Sequence, residues 1–62
     1  MNPPALHLVL NGGPWAKTIR NWPSAAPTTM AFADDGYDYA VYEQVRVEYT
    51  LDGTFYHYEY RR

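Results

Sequence analysis

Two histidines, seven acidic residues and no cysteine are the groups from which a catalytic or metal site would have to be drawn. His7 and His57 fall in opposite halves of the chain. A structural metal takes about four ligands, and no third ligand is placed beside either ring. His7 therefore reads as a strand residue on a wet face, and His57 as half of a surface pair. Asp34 and Asp35 are adjacent. Adjacent acids in a turn cap backbone groups, whereas acid–base work needs two carboxylates facing one cleft. Asn11-Gly12-Gly13 followed by Lys17-Thr18 has the residue types of a phosphate loop. Pro14 and Trp15 intervene, the spacing is wrong and no helix follows to cradle a phosphate. No catalytic, cofactor-binding or metal residues are assigned, no cofactor is expected, and the chain reads as non-enzymatic.

The aromatic residues are the remaining chemical signal. All seven tyrosines lie between Tyr37 and Tyr60. Polar-tipped rings serve both cores and interfaces. In the alternation described below, Tyr37, Tyr39, Tyr49, Tyr56, Tyr58 and Tyr60 share the apolar face. Tyr42 and Phe55 then fall on the polar face, as candidates for an exposed binding patch. Trp15 and Trp22 each neighbour a proline, and such pairs line grooves for extended peptides. A plain structural role is the simpler reading for both. The candidate binding residues are therefore Trp15, Trp22, Tyr42 and Phe55.

These residues must be positioned by a very small scaffold. A chain of 62 residues makes one domain, spanning 1–62. A domain of this size buries only about 60% of its unfolded surface, and its stability should be about 3–9 kcal/mol. The absence of cysteine excludes disulfide staples. The net charge of −2 argues against nucleic acid, whose binding rests on cationic side chains. The charge is unevenly spread: residues 1–33 carry Lys17 and Arg20 and no acid, while every acid lies in 34–62. No apolar run approaches the roughly 18 residues that cross a bilayer. The opening Met1-Asn2-Pro3-Pro4 lacks a signal-peptide pattern. The expectation is a soluble cytoplasmic protein with no membrane partner.

Asn2-Pro3-Pro4 reads as a frayed arm. From Ala5 to Leu10, three leucines alternate with His7 and Val9, as in a strand. Asn11-Gly12-Gly13-Pro14 is a turn, and Trp15 to Arg20 returns as a second strand. Asn21 to Pro27 is a loop, with Trp22 as a lid over the core edge. From Tyr37 to Tyr49 the odd positions are apolar except Glu43, and most even positions are polar. That period of two is a strand signature.

Asp52-Gly53 suits a two-residue hairpin turn. It would set Tyr49 opposite Tyr56, Val47 opposite Tyr58 and Glu48 opposite His57. Asp35-Gly36 would likewise set Phe32 opposite Tyr39 and Met30 opposite Val41. Glu43 marks the junction of the two hairpins, where a bulge would let the long strand curl. The expected strands are Thr28–Ala33, Tyr37–Tyr49 and Thr54–Arg61, joined by the N-terminal hairpin. Together they form an all-β, five-stranded antiparallel sheet bent into a roll or SH3-like barrel. In this register Val47→Lys should unfold the domain and Glu48→Lys should be nearly neutral.

The strand ending in Asn11-Gly12-Gly13-Pro14-Trp15, the following Lys17-Thr18-Ile19, the Pro-rich loop and the closing Asp52-Gly53-Thr54-Phe55-Tyr56-His57-Tyr58-Glu59-Tyr60-Arg61 carry a resemblance. They are similar to a loose group of small uncharacterised proteins from actinobacteria and their bacteriophages. Ala16 and Lys17 stand where that group carries an Asp-Gly pair. The resemblance implies a phage or actinobacterial origin, with the host cytoplasm as the setting for a phage protein, and carries no catalytic residue across. The expected function is a small protein-interaction module binding a host or virion protein. The alternatives are a structural virion component, such as a capsid or tail accessory, and a self-associating small β protein; exposed edge strands make edge pairing or homodimerisation a natural mode, and an open sheet that dimerises face to face is the competing picture to the roll.

Overall fold

The computed structural model describes residues 5–33 and 39–62. The Asn2-Pro3-Pro4 arm, the Asp34 and Asp35 caps, the Asp35-Gly36 turn and Tyr37 lie outside the described residues. Five strands form one sheet: β1 (Leu6–Asn11), β2 (Lys17–Ile19), β3 (Thr29–Ala33), β4 (Tyr39–Thr50) and β5 (Gly53–Tyr60). The described residues contain no helix, and none is long and apolar enough to cross a membrane. The strand order is β2-β1-β5-β4-β3, and the sheet curls into a half-barrel. The all-β class and rolled shape agree with expectation. The wholly antiparallel sheet does not, because β1 and β5 run parallel, Leu6 beside Thr54 through Asn11 beside Glu59.

The parallel pair follows from the route of the chain. After β2, residues 20–28 cross to the far edge of the sheet, and β3, β4 and β5 then meander back. The meander ends with β5 beside β1. Parallel neighbours always need such a crossover, which here is a loop instead of a helix.

The register explains which residues are buried. Leu8 and Leu10 lie beside Tyr56 and Tyr58, and their side chains share one face. Leu8, Leu10, Ala40, Tyr42 and Tyr58 form the buried core. Met30, Phe32, Ile19, Trp15, Trp22 and Tyr56 pack around it. The leucines, Met30 and Phe32 thus occupy the expected apolar face, and Trp22 covers the core edge.

Tyr42 is the main correction, since it was expected on the polar face and is fully buried. Two displacements cause this. In the β3–β4 pair, Met30 faces Tyr42 and Phe32 faces Ala40, one residue from the expected register. A slip of one moves every side chain to the other face. The β4–β5 ladder then shifts between Gln44 and Arg46. The extra residue, Val45, is a bulge that reverses the alternation along β4. Even positions face the core above it, and odd positions below it. The bulge sits two residues from Glu43, the expected bend.

The β4–β5 turn also differs from expectation. Thr50 pairs with Gly53, so Leu51-Asp52 forms the loop in place of Asp52-Gly53. The Thr50 hydroxyl accepts the Asp52 N–H at 3.1 Å and donates to the Gly53 carbonyl at 2.9 Å. Gly53 adopts φ 128°, and a Cβ there would collide with the Ala5 carbonyl oxygen. Glycine therefore serves the strand junction rather than the loop tip. The slip amounts to two residues, so Val47, Tyr49, Tyr56 and Tyr58 still share one face.

Val47 lies below the covered core, at 36% exposure. A lysine there can extend into water, so the structure predicts that Val47→Lys stays folded, against the sequence-based expectation that it unfolds the domain. Leu8→Ala should cost about 2–5 kcal/mol, as full burial and a residual cavity require, whereas Val47→Lys should cost less than about 1 kcal/mol. Urea denaturation followed by circular dichroism measures both.

Candidate functional site

The four candidate binding residues do not converge. Tyr42 is enclosed by the β1–β2 turn. Its hydroxyl donates to the Gly12 carbonyl at 2.6 Å and accepts the Trp15 backbone N–H at 2.9 Å. Both polar needs of the phenol are met by backbone, which is what permits its burial. Gly13 must approach closely, because a Cβ there would lie 2.7 Å from the Tyr42 hydroxyl and 2.5 Å from the Tyr60 ring. Trp15 stacks on Phe32 with centroids 5.2 Å apart, and the Lys17 ammonium lies 5.7 Å from its ring. The indole N–H of Trp15 is buried with no partner among the described residues.

Trp22 serves the opposite end of the cover. Its backbone N–H donates to the Leu6 carbonyl at 2.8 Å, and its indole N–H to the Ala25 carbonyl at 3.3 Å. A shallow depression of about 380 Å³ is walled by Leu6, Asn21, Trp22, Pro23 and their neighbours. Trp15 is not among those walls, so the two tryptophans form no joint groove there.

Phe55 lies on the far face of the sheet. It tilts against His7 at 4.7 Å, and the Arg20 guanidinium sits 6.0 Å from its ring. His7, expected on a wet face, is only 4% exposed. The Asn21 backbone N–H donates to His7 Nδ1 at 3.2 Å, and His7 Nε2 lies 3.2 Å from the Asp52 carbonyl. An acceptor at Nδ1 and a carbonyl before Nε2 require the neutral ring with its proton on Nε2. His7 thus ties the exit of β2 to the β4–β5 turn. Asn21 meets this demand at φ 57°, a left-handed conformation that asparagine tolerates. Among the described residues, no three His, Asp or Glu side chains come together.

His57 reaches Glu48 at 3.0 Å, as expected, although its Cα partner is Arg46. Arg61 meets Glu43 at 3.3 Å and Glu59 at 3.6 Å. These exposed pairs lie along the polar face and contribute little each.

The feature that sequence reasoning missed is where the cover stops. The β1–β2 turn closes over Tyr42 and packs against one side of Tyr60, which stays 41% exposed. The 20–28 segment closes over Tyr58, whose hydroxyl donates to the Pro27 carbonyl at 2.5 Å. Below that segment the lower β4–β5 hairpin carries Val45, Val47, Tyr49 and Leu51 in the open, with Tyr49 81% exposed. β3 pairs only as far as Thr29 opposite Glu43, with Thr28 still accepting the Gln44 N–H. The outer edge of β4 from Val45 to Thr50 therefore has no strand beside it among the described residues. The sequence signal was present in the regular alternation of Val45, Val47 and Tyr49 with Arg46 and Glu48. No known protein family, curated protein or solved structure matches the chain.

Two outcomes follow from this geometry. Burial pushes the Tyr58 phenol above the ordinary tyrosine range, and the neighbouring Tyr56 adds to the shift. Its stabilising contribution is fully present below the unfolded tyrosine value of about 10 and is lost as pH rises through the higher folded value. Tyr58→Phe should therefore flatten the fall in stability above about pH 10, read by urea midpoints across alkaline pH. His7→Ala should cost on the order of 2–3 kcal/mol, because it leaves the Asn21 N–H and Asp52 carbonyl unpaired and opens a gap. The exposed Thr18→Ala should change stability by less than about 0.5 kcal/mol. Thermal denaturation of the two variants compares them directly.

Proposed function

We propose that this chain is a small non-enzymatic protein-interaction module that binds through the lower β4–β5 hairpin. The observation that carries this reading is the uncovered apolar group of Val47, Tyr49 and Leu51 beside an open strand edge. Solvent-exposed apolar side chains in a contiguous patch mark an interaction surface. An unpaired edge supplies backbone donors and acceptors for an added strand. Tyrosine supplies a large rigid contact with a polar tip.

This surface replaces the one assigned to Trp15, Trp22, Tyr42 and Phe55, because Tyr42 is engaged in the core and the tryptophans act as cover. The resemblance to actinobacterial and phage proteins favours an accessory protein that engages a host or virion component. Its setting would be the cytoplasm, in the host for a phage protein.

The test is affinity capture from an actinobacterial lysate with the intact chain and with a Tyr49→Asp, Leu51→Asp variant. Both positions are exposed, so the variant should keep the wild-type circular dichroism spectrum. The proposal expects a saturable protein held by the wild type and at least about tenfold less by the variant. Equal capture by both would remove the hairpin from the binding surface.

A further inference from the structure

The open edge of β4 is complementary to itself. Its residues read Val45-Arg46-Val47-Glu48-Tyr49, apolar at alternate positions with opposite charges between them. We infer that the occupant of this edge is a second copy of the same chain, paired antiparallel about a two-fold axis through Val47. This inference rests on the interaction reading above and adds self-pairing through the strand edge, beside the exposed Tyr49 and Leu51 side chains that the capture experiment probes.

The backbone is disposed for such a pair. Thr50 and Gly53 flank a two-residue loop, so Thr50 bonds inward to β5. The alternation of an antiparallel ladder then turns the N–H and C=O groups of Tyr49 and Val47 outward. An axis at Val47 sets the two Val47 residues opposite one another, in hydrogen-bonding positions. Arg46 of each copy then faces Glu48 of the other, and Val45 faces Tyr49. Moving the axis to Arg46 or to Glu48 would place like charges directly opposite, which is destabilising. Of the axes along this edge, only the one at Val47 sets Arg46 opposite Glu48.

The available length also fits. Among the described residues the edge is free from the bulge at Val45 to the turn at Leu51, because Thr28 still bonds to Gln44 above it and the ladder to β5 closes below. The edge carries no lysine or proline, the usual guards against pairing. β3 also lies at a sheet edge, but Thr29–Ala33 has no charge to fix a register. A two-fold contact buries the same patch on both copies and closes on itself. It brings Val47 and Tyr49 of both chains together on one face of a continuous sheet. A strand contact this short lies at the small end of interface sizes, so the dimer should respond to concentration.

Sedimentation equilibrium tests the pairing with Arg46→Glu and Glu48→Arg, both at exposed side chains. The wild type should move from 7.2 kDa towards twice that mass as concentration rises. Each single variant should dimerise at least about tenfold more weakly, because both of its cross-pairs become like-charged. An equimolar mixture of the two variants should recover the dimer, since every cross-pair is then opposite in charge. The double variant should recover it alone. Circular dichroism confirms that each variant is folded. A wild type that stays monomeric into the millimolar range overturns the inference. So does a dimer unchanged by either reversal, or a mixture that does not recover. None of these results alters the capture comparison at Tyr49 and Leu51, which decides the broader reading separately.

Discussion

Two tyrosine hydroxyls hold the second layer of this protein onto the first. A single sheet with one apolar face must have that face covered, and the described residues supply no helix to do so. The cover is made of two loop segments, whose backbone polar groups need partners once water is excluded. Tyr42 provides both a donor to Gly12 and an acceptor for Trp15. Tyr58 donates to Pro27. Each ring fills the core and each tip anchors a loop, which leucine in either place could not do. In a chain this short, the same residue must serve packing and polar satisfaction together.

The bulge at Val45 makes that arrangement compatible with the rest of β4. Above it, Ala40 and Tyr42 face the core. Below it, Val47 and Tyr49 take the corresponding face. Without the extra residue the upper strand would present Tyr39 and Val41, and neither the Tyr42 hydroxyl nor the two loops would meet. The bulge also bends the strand where β3 ends. The covered region and the open hairpin are therefore set by one local irregularity.

The legible parts of the fold were those with unambiguous alternation. Leu6, Leu8 and Leu10 marked β1 and its core face, and Arg46 and Glu48 marked the polar face of lower β4. Upper β4 could not be oriented by pattern, because Tyr39, Ala40, Val41 and Tyr42 are apolar at every position. Asp52-Gly53 was a sound turn signal, yet the Thr50 hydroxyl and the crowding of Gly53 against Ala5 placed the loop one residue earlier. The parallel β1–β5 pair had no local signature, since it is decided by the long crossover. The burial of His7 was hidden for the same reason, as its partners Asn21 and Asp52 are distant in sequence. The open hairpin was legible in its residues, but its exposure depends on where the loops stop.

The sheet is closed over one part of its apolar face by tyrosine-anchored loops and left open over the other. Residue-resolved amide hydrogen exchange at low protein concentration measures this directly. The Trp15 and Trp22 amides should exchange slowly, in the manner of the core strands, because they bond to the Tyr42 hydroxyl and the Leu6 carbonyl under the closed layer. The outward amides of Val47 and Tyr49 should exchange fast. Rapid exchange at Trp15 and Trp22, or strong protection at Val47 and Tyr49 in dilute solution, would contradict it.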